Sequence, residues 1–261
     1  MTLRRTAAVV LAAALALTAA SGCSDDDPAA KEREQEHPDA PQARKLLLVD
    51  DDLPDGWTGV EHPNDPDHDK PGDRLFRCMG RPEPRKIRTT HQHAKDYSSG
   101  GGLGRGVTVA TSGNYLVDAS EVQADYDAAA DETTFLPCFE DVAKTQVKEM
   151  LPPGVDIISL EIEKLDPPTS KVRSLLYRVT VMLDAPGEPL PMYIDEALLY
   201  EGRAETTMSF TGASDPFDAE LQRTLIDTAA ERLASTAGAE TTTTTTGTVD
   251  TSTTTTAMGG G

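Results

Sequence analysis

The sequence predicts an α+β domain, an antiparallel β-sheet with helices packed on one face in a two-layer sandwich. Three observations carry that expectation. Four strand-like segments follow one another at meander spacing between residues 155 and 211. A helical stretch precedes them, and an amphipathic helix with a start signal follows them. Strands, a helix, a meander and a covering helix, in that order, mark an α+β layer fold; alternating strand–helix units would mark a parallel one.

The first apolar run, Lys45-Leu-Leu-Leu-Val-Asp50, fits helix or strand and stops at Leu53-Pro54-Asp55-Gly56-Trp57. Pro-Asp-Gly is turn chemistry, and Trp57, the only tryptophan, is the natural anchor into a core. Residues 61 to 74 are polar and carry several prolines. Residues 80 to 105 have few apolar positions and run into the glycine-rich Gly100 to Gly106, so they read as a long loop. Val107 to Thr111 alternates as a strand, and Tyr115 to Val122 is a second strand candidate. Helical signal then takes over. Asp125 to Glu132 is Ala-rich, and Phe135 to Leu151 sets Phe139, Val142, Val147 and Met150 on one side before Pro152-Pro153-Gly154 stops it.

The meander runs through Val155 to Ile162, Val172 to Leu183, Pro191 to Tyr200 and Ala204 to Thr211, with Pro- and Gly-bearing turns between. In the second segment Leu175, Tyr177, Val179, Val181 and Leu183 alternate with Leu176, Arg178, Thr180 and Met182, so one face is the more apolar. The closing helix is expected to start at Asp215 as cap with Pro216 in its first turn. Phe217, Leu221, Leu225, Ala229 and Leu233 then line one face at four-residue spacing.

The ends are of a different kind. Residues 1 to 22 read as a secretory signal, with Arg4 and Arg5 before an apolar run, Ala7 to Ala20, that is short for a membrane span. Ala20-Ser21-Gly22-Cys23 resembles a bacterial lipobox, in which the Cys23 thiol takes a diacylglyceryl group and the chain is cut before it; an ordinary signal peptide cut near Ala20 is the alternative. Several acyl chains of the palmitate class would anchor the chain stably, at roughly 0.8 kcal/mol per buried CH₂. Residues 23 to 43 are an acidic stretch without a Val, Ile, Leu or aromatic residue after Cys23, and read as a disordered tether. In the tail, 237 to 261, Thr fills 12 of the 16 positions from 241 to 256, and it reads as disordered or glycosylated. A single domain is therefore expected over residues 44 to 236.

The chain carries 24 Lys+Arg against 44 Asp+Glu, a net charge of −20, and most of that acidity lies in the domain. Nucleic acid and anionic membrane surfaces both attract basic patches, so neither is an expected partner of the protein surface. Of the 3 cysteines, Cys23 is given to lipid. That leaves Cys78 and Cys138 to pair outside the cytoplasm, with two buried thiols as the alternative.

The lipobox, the polar tether, the Leu53 to Trp57 segment and the Phe-x-x-Cys at Phe135 to Cys138, followed by meander and helix, resemble actinobacterial envelope lipoproteins. The related groups are the PknH-type extracellular sensor domain and the LpqN-type lipoproteins. The resemblance implies a sandwich of Mog1/PsbP character with a surface cleft and a binding role. The chain departs from the kinase-linked sensors in having neither kinase nor transmembrane helix, and it has one cysteine pair where some relatives have two.

Other motifs point nowhere firm. Asp65 to Asp73 alternates carboxylates as a calcium loop does, but Lys70 stands where an EF-hand needs Gly and Phe76 where it needs Glu, so a solvated acidic loop is the preferred reading over a loose cation site. His91 and His93, with His62 and His68 upstream, lack the Cys or carboxylate spacing of a zinc site, and no metal is expected. Gly100 to Gly106 lacks the Lys-Ser/Thr of a phosphate loop, and no cofactor is expected. No Gly-x-Ser-x-Gly is present, and no catalytic residue is assigned.

The expected protein is thus a non-catalytic sensor-like lipoprotein, held to the extracytoplasmic face of the cell membrane at Cys23. Its partner would be a small amphiphilic or wall-derived ligand in a cleft. The rivals are a module that docks a basic envelope protein and, less favoured, a hydrolase, which a compact cluster of His and carboxylates in a cleft would revive.

Overall fold

A computed structural model describes residues 37–61, 70–100, 106–166, 168–169, 171–185 and 188–243. The signal segment, Cys23, the tether up to residue 36, His62, His68, residues 65–69 of the acidic loop and the tail from 244 onward lie outside them.

Among the described residues, six α-helices and eight strands are formed. The helices are α1 (Ala40–Lys45), α2 (Lys70–Cys78), α3 (Pro84–Ile87), α4 (Ala119–Ala130), α5 (Glu132–Met150) and α6 (Ala219–Thr243). The strands are β1 (Thr58–Val60), β2 (Arg88–His93), β3 (Asp96–Ser99), β4 (Val107–Leu116), β5 (Asp156–Leu165), β6 (Arg173–Ala185), β7 (Glu188–Glu201) and β8 (Ala204–Ala213). They make one sheet in the order β1-β3-β4-β8-β7-β6-β5, with β2 also on β4, and every pairing is antiparallel. The class is the α+β class read from the sequence, and the meander β5 to β8 stands where its four segments were placed.

The helices divide between both faces of this sheet, where the sequence reading packs them on one. Successive strand residues point to opposite faces, and on β6 and β7 both parities are buried. Leu176, Ala197 and Leu199 join Met208, Phe210, Leu225, Ile226 and Leu233 in a core under α6 and α1. Leu175, Tyr177 and Tyr200 join Val122 and Phe135 under α4 and α5, and Val179, Val181 and Leu183 extend that side beneath Ala143 and Val147. Each large apolar side chain so buried stabilises by roughly 1.5–3 kcal/mol before entropy is counted.

Four segments differ from the sequence reading. Folding begins before residue 44: Ala40 and Ala43 of α1 are fully buried, and the Asp39 carboxylate accepts from Thr89 Oγ1 at 2.6 Å and Arg203 Nη2 at 2.8 Å. A polar segment can be buried this way because alanines need little room. The supposed loop from 80 to 105 holds α3, β2 and β3, whose polar side chains serve an edge and a cleft instead of a core. Val107 to Leu116 is one continuous strand, and the chain turns into α4 at Asp118, whose carboxylate accepts from the N–H groups of Ser120 and Glu121. The last helix starts at Ala219, where Asp218 instead of Asp215 accepts from Leu221 N at 2.8 Å, and it continues past 236 to Thr243. Phe217 before it is buried against Phe210 and Trp57, at ring separations of 5.0 and 5.9 Å.

Candidate functional site

A cleft of about 280 Å³ opens on the α4–α5 side of the sheet. Its wall is helical and apolar: Leu75, Phe76 and Met79 from α2 and its end, and Phe135, Phe139 and Val142 from α5. The Cys78–Cys138 disulfide, with Cα atoms 5.7 Å apart, fixes α2 against α5 and so sets the spacing of that wall. Its floor is the sheet. Antiparallel register lines up His91, Asn114, Glu205 and Tyr200 in one row across β2, β4, β8 and β7. His93, Ser112, Thr207 and Leu198 form the next row, and Ser209 and Glu196 belong to the one after.

The floor holds acids where water is scarce. Burial pushes the Glu205 carboxyl up to about 8, and the Asp125 carboxylate, to which it is hydrogen-bonded, raises it further, while Arg88 and Arg81 pull the other way. Asp125, on α4, is also raised by burial, although Arg81 Nε donates to its Oδ1 at 2.7 Å. The same guanidinium reaches Glu121 Oε2 at 2.7 Å. Glu196 accepts from Ser209 Oγ at 2.8 Å, and burial lifts it to about 7. Tyr177 donates to Ala129 O at 2.6 Å and closes the floor against the end of α4.

The two histidines meet on this floor. His91 and His93 pack edge to face with ring centroids 4.1 Å apart, their Nε2 atoms in contact, and His91 Nδ1 bonds the Asn114 side-chain oxygen. Among the described residues no group of three or more His, Cys, Asp or Glu side chains is arranged to hold a metal. Asp73 lies in the first turn of α2, and Gly100 and Gly106 flank 101–105, which lie outside the described residues.

A second, wider depression of about 400 Å³ lies over Leu48, Val49, Asp51 and Tyr97. It is shallow, and its polar groups already satisfy one another: Asp50 accepts from Lys95 Nζ at 3.0 Å and from Tyr97 Oη at 3.0 Å. The smaller cleft is the better site because it sets an apolar wall over a floor that holds the buried acids Asp125 and Glu205.

Sequence reasoning weighed His91 and His93 as metal ligands and set them aside, and it singled out none of Asp125, Glu196 and Glu205. A signal for one of them was present. Asp195 and Glu196 are adjacent in the middle of an apolar strand, so one must face each side of a sheet covered on both.

No protein-family model matches the chain, and no curated protein matches it. Among solved structures, the extracellular domain of PknH from Mycobacterium tuberculosis is similar, with a TM-score of 0.41 and 11% identity over 76% of this chain and 96% of that one. The likeness is too slight to carry a ligand or an activity across.

Proposed function

We propose that this protein is a lipid-anchored, extracytoplasmic, non-catalytic module of the cell envelope that holds a small ligand in the cleft. The observation that carries the reading is the pairing of an apolar helical wall with a floor of buried acids, since ligand sites combine an apolar lining with a few polar groups that fix orientation. A disulfide in the wall fits an oxidising compartment. No helix among the described residues is long and apolar enough to cross a membrane, and the attachment to the membrane is assigned to Cys23.

The rival in which an acidic surface docks a basic envelope protein draws on the net charge of −20. It leaves unexplained the acids that lie within the cleft. The hydrolase rival gains from the cluster of His and carboxyl groups there, with Ser209 bonded to Glu196 as its nucleophile. Against it, Ser209 is not among the residues that line the cleft, so its hydroxyl is not presented to a substrate there.

Native mass spectrometry of the protein purified from its host tests the ligand. A bound small molecule is expected, and Thr207→Trp, which fills the middle of the floor, is expected to remove it. Arrival of both forms empty counts against the reading. Cys23→Ala is expected to move the protein out of the membrane fraction; tight retention refutes the anchor.

A further inference from the structure

We propose that His91 and His93 form a site for a divalent transition-metal ion of the copper–zinc class, chelated by the two Nε2 atoms with its remaining positions open to solvent. The inference goes beyond the ligand reading and does not depend on what else enters the cleft.

The backbone meets the first requirement. His91 and His93 stand two residues apart on β2, so both side chains leave the same face of the sheet. Register on β4 fixes them there, with His91 opposite Asn114 and His93 opposite Ser112. Strand positions hold donor atoms more firmly than loop positions do. Both residues line the polar end of the cleft, and His93 is exposed, so an ion reaches them from solvent.

The rings meet the second. The nitrogens that converge are the two Nε2 atoms, 2.5 Å apart. A tetrahedral ion bound to both at its usual bond length would hold them roughly 3.3 Å apart. The pair has to part by only roughly 0.8 Å, which a small turn of the exposed His93 ring supplies.

The third requirement is a lone pair in the right place. His91 Nδ1 bonds the side-chain oxygen of Asn114, an atom that can only accept, so Nδ1 carries the proton and Nε2 presents its lone pair. Asn114 is 2% exposed and keeps the ring in that tautomer. An oxygen acceptor on the second ring nitrogen is the usual companion of a metal-bound histidine, whose orientation and basicity it sets. A proton between the two Nε2 atoms satisfies one lone pair; a metal ion satisfies both.

The net charge of −20 draws cations of every kind, and the imidazoles select among them. Imidazole suits zinc, copper and nickel, whereas calcium and magnesium take oxygen ligands. With two protein ligands instead of three, the site carries no zinc-type spacing in the sequence and no larger group of ligating side chains among the described residues.

The test is calorimetric titration of the chelator-treated, detergent-solubilised full-length protein with Zn²⁺, Cu²⁺ and Ca²⁺. Zn²⁺ and Cu²⁺ are expected to compete for one site, Cu²⁺ the tighter, and Ca²⁺ should displace neither. His91→Ala and His93→Ala should each weaken that site by roughly a hundredfold, since each removes one arm of a chelate, while His37→Ala should leave it unchanged. Asn114→Leu should weaken it by about tenfold or more, and Asn114→Asp, which keeps the acceptor, should restore it. Electron paramagnetic resonance of the Cu²⁺ form reads the ligands directly, independent of any loss of stability in the variants. Coupling to two imidazole nitrogens is expected in the unaltered protein and to one in His93→Ala. Equal metal affinity in the unaltered protein and in the variant carrying both His91→Ala and His93→Ala overturns the site. So does coupling to fewer than two nitrogens in the unaltered protein, full displacement by Ca²⁺, or failure of both Zn²⁺ and Cu²⁺ to bind.

Discussion

Asp195 is 1% exposed and accepts three hydrogen bonds, from Arg178 Nε and Nη2 at 2.7 Å each and from Gln222 Nε2 at 2.9 Å. It pins the covering helix α6 to the middle of the sheet on the face away from the cleft. Its neighbour Glu196 points the other way and, among the described residues, accepts from the Ser209 hydroxyl. The contrast sets an acid held by a cation beside one held by a hydroxyl within a single peptide. Asp195→Ala leaves a guanidinium and an amide without their acceptor and should lower stability by about 3 kcal/mol in urea denaturation. Ser209→Ala, by comparison, removes one neutral bond and should cost about 1 kcal/mol. Reading this from sequence alone was within reach for the pair as a whole, because adjacent acids in an apolar strand are rare. Which of the two would find cations was not, since Arg178 meets Asp195 through cross-strand register and Gln222 meets it through helix docking.

At the scale of elements, the strands and helices that carry large apolar residues were legible: β5 to β8, α5 and most of α6 follow from periodicity. Those that carry small or polar ones were not. α1 is buried through Ala40 and Ala43, and Gly113 opposite it has no room for a side chain, since a Cβ there would stand 2.8 Å from Ala43 O. β2 reads Arg-Thr-Thr-His-Gln-His, a strand without an apolar residue, because its inward face is the polar end of the cleft. The helical wall over that floor depends on the Cys78–Cys138 link, which closes a span of 60 residues and should contribute about 4 kcal/mol. Cys78→Ala with Cys138→Ala should lower the urea midpoint accordingly. Hydrogen exchange should then rise first in α2, the element that the bond alone ties to α5 by a covalent path. Unchanged exchange in α2 would show that packing suffices to hold the wall.

For the whole molecule, two acids with raised pKa values tie stability to pH. Glu196 and Glu205 hold protons up to about 7 and about 8 in the folded chain and release them near the ordinary carboxyl value when unfolded. Their sites cost nothing while the unfolded chain is also protonated. As pH rises past that value the folded state is left holding protons the unfolded state has shed, and each such group costs about 1.4 kcal/mol per pH unit until it too ionises. Thermal stability should therefore decline between about pH 5 and pH 8. Glu205→Gln should flatten the decline and raise the melting temperature at the alkaline end. A profile that rises over this range would contradict the burial of both acids.

The placement of α1 and α6 on one face and the cleft on the other has a practical reach. Both ends of the described chain leave from behind the sheet, with Arg232 of α6 bound to Asp52 and to Leu47 O beside α1. Anything joined there, whether a sugar-bearing tail, a fusion partner or a sensor chip, occupies the rear of the domain. The cleft lies on the opposite face, so the molecule can be held by either end with the cleft side left uncovered.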